Sequence, residues 1–178
     1  RFGDPGFVYH VAAAQIWGML ALRLADADGL SFDYTDYANE IRRFFRDSMR
    51  VAGWRKLAAQ FDDKPMLEAI EEFAKEAERI EKARQDAIRD GDRTRLARVN
   101  DALMLAERQF IDPRGLRGRA WYKHQIYAPG IYTGYAAQPL TDFRQALEER
   151  NGANAKAGLE RIVEAVKRAT RTLKTARD

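Results

Sequence analysis

Apolar residues recur every three or four positions along most of this chain, which is the spacing of amphipathic α-helices. A second helix is predicted from a cap at Thr35 or Asp36 to about Met49, and a third begins after Asp62 and Asp63. The fourth helix follows Gly91, and its apolar positions alternate three and four apart, as in an antiparallel helix pair. These positions are Leu96, Val99, Leu103, Ala106 and Phe110. We therefore expect helices three and four to form a hairpin over about residues 65–111.

The first predicted helix has a different pattern. It starts at Asp4 and Pro5, where an acidic cap and a proline in the first turn favour a helix start. Between Val11 and Leu24 only Gln15 and Arg23 are strongly polar, so the helix is apolar nearly all round. A helix of this kind is buried on every side, either at the centre of a bundle or partly against another chain. The central position is the expectation that we adopt.

Residues 112–140 interrupt the helical pattern, because glycines and prolines are spread through them. The same segment carries many large apolar side chains, which indicates an ordered, packed loop rather than a flexible linker. These side chains are Trp121, Tyr122, Ile126, Tyr127, Ile131, Tyr132 and Tyr135. A short helix is predicted near residues 142–150 and a last helix over about 154–174. The prediction is all-α: one helical domain over residues 1–178, with about five main helices and a long ordered loop between the fourth and the last.

Composition narrows the class of protein further. The 178 residues suit one globular domain, and the lack of cysteine excludes a disulfide scaffold and a thiolate zinc module. It fits a reducing cytosol and also many periplasmic proteins. The longest apolar run, Val11 to Leu22, is interrupted by Gln15, so no membrane contact is predicted.

No motif for catalysis or metal binding occurs in the sequence. The two histidines, His10 and His124, lie far apart, and no metal-ligand spacing, P-loop or nucleophile elbow accompanies them. We therefore expect no catalytic residue and no metal ligand in this chain. The chain opens at Arg1 rather than Met, without a basic-then-apolar leader, so it is expected to be either a processed piece or a domain of a larger polypeptide.

The loop also carries a cluster of positive charge. Arg114, Arg117, Arg119 and Lys123 lie within ten residues that contain no acidic residue, beside Trp121. Basic and aromatic residues together are typical of nucleic-acid binding. The other interpretation is that Arg117 and Arg119 organise the loop by binding carbonyls and carboxylates, together with His124. We favour this second interpretation and predict no nucleic-acid partner, because the rest of the chain is nearly charge-balanced and no recognition motif is present.

Three short motifs follow one another between residues 106 and 136. They are AERQFIDPRGL at 106–116, WYKHQIYAP at 121–129 and GYA at 134–136. This set resembles the C-terminal helical domain of the glutamate carboxypeptidase II and transferrin receptor family. Residues 9–18 and 30–38 are similar to the first two helices of that domain, in the same order.

The resemblance implies a homodimerisation domain that packs on a protease domain holding two zinc ions. In that family the zinc ligands and the glutamate base precede this segment, so the zinc ions are cofactors expected elsewhere and none is expected in this chain. The implied function is dimerisation and completion of the substrate pocket in a zinc-dependent exopeptidase of the carboxypeptidase or dipeptidase type. The alternative is a receptor or scaffold domain from a family member without zinc ligands.

The resemblance also implies roles for residues of the loop. In the family's peptidases a Lys followed by a Tyr binds the carboxylates of a C-terminal glutamate, and the matching positions here are Gly134 and Tyr135. Tyr132 would belong to the same pocket wall. Glycine removes the cation, so we expect a weaker preference for glutamate. Independently, the surplus of apolar surface predicts a covered interface of about 1,600 Å² or more.

Overall fold

The computed structural model describes residues 3–50, 55–58, 60–131 and 134–177. By its contacts the chain divides into two compact units, Arg1–Ser31 and Phe32–Asp178. Each unit is described separately.

The first unit contains a 3-10 turn, Pro5–Phe7, followed by helix α1, Val8–Ala25. The Asp4 carboxylate accepts hydrogen bonds from the backbone N–H groups of Tyr9 (3.0 Å) and His10 (2.8 Å), which caps the first turn. No residue of α1 is buried. The expectation of a central core helix was therefore wrong, because an all-round apolar pattern does not specify which surface covers a helix. The other possibility, contact with another chain, stays a prediction.

The apolar character of α1 also bears on membranes. Within the described part of the chain, Pro5–Ala25 spans 21 residues and is long and apolar enough to cross a bilayer, because an 18-residue window within it has a mean hydropathy of 1.2. Gln15 interrupts the apolar run, but this one neutral amide does not lower the mean hydropathy of the helix below the level expected of a membrane-spanning segment. Length and composition alone therefore do not exclude a membrane contact for α1, and the absence of a membrane partner stays a prediction.

The second unit holds the remaining helices. They are α2 (Tyr34–Arg50), α3 (Arg55–Ala58), α4 (Lys64–Asp90), α5 (Arg93–Ala106), α6 (Thr141–Glu148) and α7 (Gly152–Lys174). Two 3-10 turns, Glu107–Phe110 and Thr175–Arg177, extend α5 and α7. With α1, the long helices are α1, α2, α4, α5 and α7, which confirms an all-α fold of about five main helices.

Side-chain caps set the helix boundaries. Asp33 accepts from the N–H groups of Thr35 and Asp36 (2.9 and 3.0 Å), so the cap of α2 lies two or three residues before the predicted cap. Asp92 caps α5 through the N–H of Arg95 (2.9 Å). Asn151 caps α7 through Asn154 (3.0 Å), so the last helix begins two residues earlier than expected.

The core of this unit is built around α4 and α7, which pack against each other and against α2, α5 and α6. Phe73 of α4 meets Phe110 edge to face, with ring centroids 6.0 Å apart. Tyr34 packs on Phe73 and donates its hydroxyl to the carbonyl of Leu103 (2.8 Å). The same core therefore fixes α2, α5 and the start of the loop.

In the residues that the structure describes between α5 and α6 there are two short strands, which the sequence analysis did not anticipate. Strand β1 (Tyr127–Pro129) pairs antiparallel with β2 (Ala137–Pro139), with Ala128 opposite Gln138. Three-residue strands that each end in proline show no period-two pattern, so nothing in the sequence marked them. We call β1, β2 and the residues between them the β-hairpin.

Candidate functional site

One arginine of α7 holds the two ends of the loop together. The Arg161 guanidinium lies 3.1 Å from Asp112 Oδ2 and 3.2 Å from Asp142 Oδ2, and it also donates to the carbonyl of Gly115. Asp112 and Asp142 are both buried. Because buried carboxylates need partners, Arg161 ties the beginning of the loop to the start of α6.

Asp112 is the most strongly perturbed carboxylate of this region. The Arg114 guanidinium binds both of its oxygens, at 2.9 Å for Oδ1 and 2.6 Å for Oδ2. This pairing holds the pKa of Asp112 well below its usual range, helped by the backbone N–H of Arg114 and the charge of Arg161, while burial acts in the opposite direction. Asp112 is therefore a permanent anion at neutral pH and a fixed anchor for the loop.

Arg117 and Arg119 also have partners within the unit. Arg117 Nη2 lies 2.7 Å from a carboxylate oxygen of Glu149, and its backbone N–H donates to Asp142 (3.3 Å). Arg119 is buried, and it donates to the carbonyl of Pro129 (2.5 Å) and to the amide oxygen of Gln145 (3.0 Å).

These contacts bear on the nucleic-acid alternative. Arg114, Arg117 and Arg161 each lie against acidic side chains of their own unit, and Arg119 is buried. Guanidinium groups engaged in this way offer little free charge to phosphates. The geometry therefore disfavours the nucleic-acid interpretation of the loop.

His124 lies where the loop enters β1. Its Nδ1 accepts the backbone N–H groups of Ile126 (3.3 Å) and Tyr127 (3.1 Å), and its Nε2 lies 3.0 Å from Glu107 Oε1. The ring stacks on Tyr127, with centroids 6.1 Å apart. The side chain therefore connects β1 to the turn that follows α5.

The residues expected to face a substrate lie between the two strands. Tyr135 is fully exposed, with a relative accessibility of 106%. Gly134 is exposed too, and a Cβ added there would meet no atom within 4 Å. Tyr132, the third expected residue, lies outside the described residues.

The sequence analysis missed Arg161, Arg168, Asp112 and Asp142. Arg168, two helical turns after Arg161, donates to the carbonyl of Gln109 (2.8 Å). The sequence did hold one indication of these contacts. Arg161 and Arg168 are seven residues apart, which places both on one face of α7 beside its apolar stripe. For residues 3–50, 55–58, 60–131 and 134–177, no group of three or more His, Asp or Glu side chains is placed to hold a metal ion.

The fold and the loop together define a helical domain with an ion-paired loop that carries an exposed hairpin. The family model of the transferrin receptor-like dimerisation domain matches residues 61–174. The chain belongs to this family, as the sequence motifs suggested.

Individual relatives agree with this assignment. A probable glutamate carboxypeptidase of Arabidopsis thaliana is 35% identical over 176 residues, which is 99% of this chain and 25% of the relative. The aminopeptidase NAALADL1 of Rattus norvegicus is 30% identical over 165 residues, which is 90% of this chain and 22% of the relative. An inactive zinc metalloprotease of Schizosaccharomyces pombe is 25% identical over 143 residues, covering 76% of this chain and 18% of that protein. The chain thus spans about a quarter or less of the length of these relatives.

Proposed function

We propose that this chain is the dimerisation and pocket-completing domain of a longer, zinc-dependent exopeptidase of the carboxypeptidase or dipeptidase type. It pairs with a second copy, packs on a protease domain that holds two zinc ions, and contributes no catalytic group of its own. The observation that carries this proposal is the exposed pair Gly134 and Tyr135 on a firmly anchored hairpin, in a chain whose relatives are named as peptidases.

The anchoring of the hairpin supports the pocket role. A residue that binds substrate must be held by a rigid support if it is to discriminate between substrates. Arg119 holds the end of β1 through the carbonyl of Pro129, and His124 holds its beginning through two backbone N–H groups. Arg117 fixes the preceding turn against Glu149. These three residues act as loop organisers, and Tyr132 to Tyr135 form the pocket wall that they support.

The chemistry of the proposed pocket wall limits which substrates it can bind. The Tyr135 hydroxyl can donate one hydrogen bond to a substrate carboxylate, but it supplies no charge. Gly134 leaves open space where a cation would be needed for strong binding of a second carboxylate. We therefore propose that the enzyme has a broader specificity than one restricted to C-terminal glutamate.

Dimerisation is tested by sedimentation velocity of the 178-residue chain over a concentration series near neutral pH. The expected result is a dimer, because the family is defined by dimerisation and the chain exposes many large apolar side chains. A strict monomer at concentrations of about tens of micromolar would contradict dimerisation through these residues alone.

The pocket role is tested in the longer protein by replacing Gly134. The change Gly134→Lys adds a cation at a position where an added Cβ meets no atom within 4 Å, so kcat/KM for substrates ending in glutamate should rise about tenfold relative to those ending in leucine. Gly134→Ala is the matched control, because it adds bulk without charge and should leave that ratio unchanged. Equal ratios in both variants would place residue 134 outside the pocket.

The receptor or scaffold alternative is favoured by one observation, namely that a relative of this chain is named as an inactive zinc metalloprotease. The residues that decide between the two functions precede this chain in the longer protein. Intact His, Asp and Glu zinc ligands there would support the peptidase, and their replacement would support the receptor or scaffold.

A further inference from the structure

One face of helix α5 is left uncovered in the second unit. The helix packs on α4 and α7, and its inward side chains, among them Leu96 and Leu103, are buried. Its outward face carries Met104 and Leu105, which are 44% and 40% exposed. The 3-10 turn after α5 leads to Ile111, seven residues after Met104 and 45% exposed. Apolar side chains that are exposed together on one face mark an interaction surface.

Two residues of opposite charge flank these apolar side chains. Asp101 lies one turn before Leu105, and Arg108 lies one turn after Met104, so all four share the outward face. The side chains of Asp101 and Arg108 are both exposed. Among the residues that the structure describes, neither of these two side chains has a hydrogen bond or an ion pair. The face therefore has an unpaired anion at one end, an unpaired cation at the other, and apolar side chains between them.

We propose that this surface is where two copies of the chain meet. We call it the α5 face, and it consists of Asp101, Met104, Leu105, Arg108 and Ile111. In a two-fold contact, residue i of one copy meets residue j of the other, and j meets i. An axis between Met104 and Leu105 sets the two α5 helices antiparallel. Asp101 then meets Arg108 of the partner subunit, and Arg108 meets the partner subunit's Asp101.

The arrangement of charge is what favours a second copy as the occupant. Positions 101 and 108 are about 10 Å apart along the helix, and they lie at equal distances from the midpoint between Met104 and Leu105. Antiparallel pairing about that midpoint satisfies both charges at once, whereas like charges at these two positions would repel each other. The inference rests on the proposed function in one respect, because it assumes that the chain dimerises, and it adds which surface forms the dimer.

Charge reversal tests the α5 face, with sedimentation velocity of the 178-residue chain as the measurement. Asp101→Arg and Arg108→Asp each create two like-charge contacts in the dimer, because the axis repeats every contact. Each change alone should therefore raise the Kd of the dimer about a hundredfold. The double variant restores both pairs and should dimerise as the unchanged chain does. Arg46→Asp is the matched control, since Arg46 is exposed on α2 outside the α5 face, and it should leave the Kd unchanged.

Cross-linking gives a second measurement that does not depend on charge. The chain contains no cysteine, so Met104→Cys introduces a single thiol beside the proposed axis. A short bismaleimide should link two copies of this variant into a covalent dimer. Arg46→Cys is the control, and it should stay uncoupled.

The outcomes separate this inference from the proposed function. A dimer that tolerates both single reversals, and that Met104→Cys does not cross-link, would overturn the α5 face and leave dimerisation standing. Single reversals that the double variant does not rescue would also overturn the self-complementary contact. A monomeric unchanged chain would contradict dimerisation and the α5 face together. Circular dichroism checks that each variant is folded, and if a reversal unfolds the chain, the cross-linking result decides.

Discussion

The α4–α5 hairpin and the loop of residues 111–140 both pack on α7, but different forces hold them there. The helical hairpin buries an apolar seam, including Phe73 and Leu103, over several turns. The loop is held by charged side chains, among them Arg161, which contacts Asp112, Asp142 and the carbonyl of Gly115. Removing one partner of a buried carboxylate leaves an uncompensated charge. We therefore expect large effects from single substitutions of the charged residues that hold the loop, and small effects from substitutions of charged residues on the solvent face of the helical hairpin.

The largest effect is expected from Arg161→Leu, which keeps most of the apolar stem and removes the charge. Asp112 and Asp142 would then be buried with fewer partners, at a cost of about 3–5 kcal/mol in the free energy of unfolding. Arg168→Leu is the control, since Arg168 donates to backbone carbonyls, and it should cost about 1–2 kcal/mol. Urea unfolding of the two variants measures both, and equal losses would contradict the special place of Arg161.

Gly115→Ala should follow, with a loss of about 3 kcal/mol. Gly115 has φ +71°, and a Cβ there would lie 2.2 Å from the carbonyl oxygen of Ala120, so the loop must shift. Gly118 has nearly the same φ, +72°, but open space around it, and Gly118→Ala should cost only about 1 kcal/mol of backbone strain. Thermal unfolding of the two variants separates the cost of the contact with Ala120 from the cost of backbone strain. If the two losses are equal, the contact with Ala120 is unimportant.

The charge on Asp112 makes the loop sensitive to acid. Because the folded state lowers the pKa of Asp112, its contribution is fully present above the carboxyl's ordinary range and is lost as pH falls below it. Asp112→Asn should therefore reduce stability by about 2 kcal/mol at pH 7, and the gap to the wild type should shrink steadily below about pH 4. Urea unfolding at several pH values measures the gap. A gap independent of pH would mean that the carboxylate charge is not what matters.

The smallest effect is expected on the solvent face of the helical hairpin. Lys75 lies 2.7 Å from Glu71 on α4, and both side chains are more than half exposed. Water and salt screen such a pair, so Glu71→Gln should leave the midpoint of urea unfolding unchanged. A clear loss would show that surface charges also hold the helical hairpin, which would weaken the contrast with the loop.

The same contrast explains what the sequence could predict. The helical hairpin, its turn at Gly91 and the cap at Asp92 follow from spacing and local chemistry, and the structure has them. The carboxylate partners of Arg161 lie 19 and 49 residues away in the chain, and no local sequence pattern predicts such contacts. The burial of α1 was overestimated because an all-round apolar pattern does not say which chain covers it. The pocket role of Tyr132 to Tyr135 came from the family resemblance, not from spacing.

The position of Arg161 in the chain also has a consequence for synthesis on the ribosome. Asp112 leaves the ribosome 49 residues before the arginine that pairs with it, and Asp142 leaves 19 residues before it. The seam between α4 and α5 involves only residues made before α7, but the surface on which both helices pack and the central cation of the loop are missing until α7 is made. Nascent chains that end before residue 161 should therefore have a protease-sensitive loop, which becomes protected only when α7 has been added.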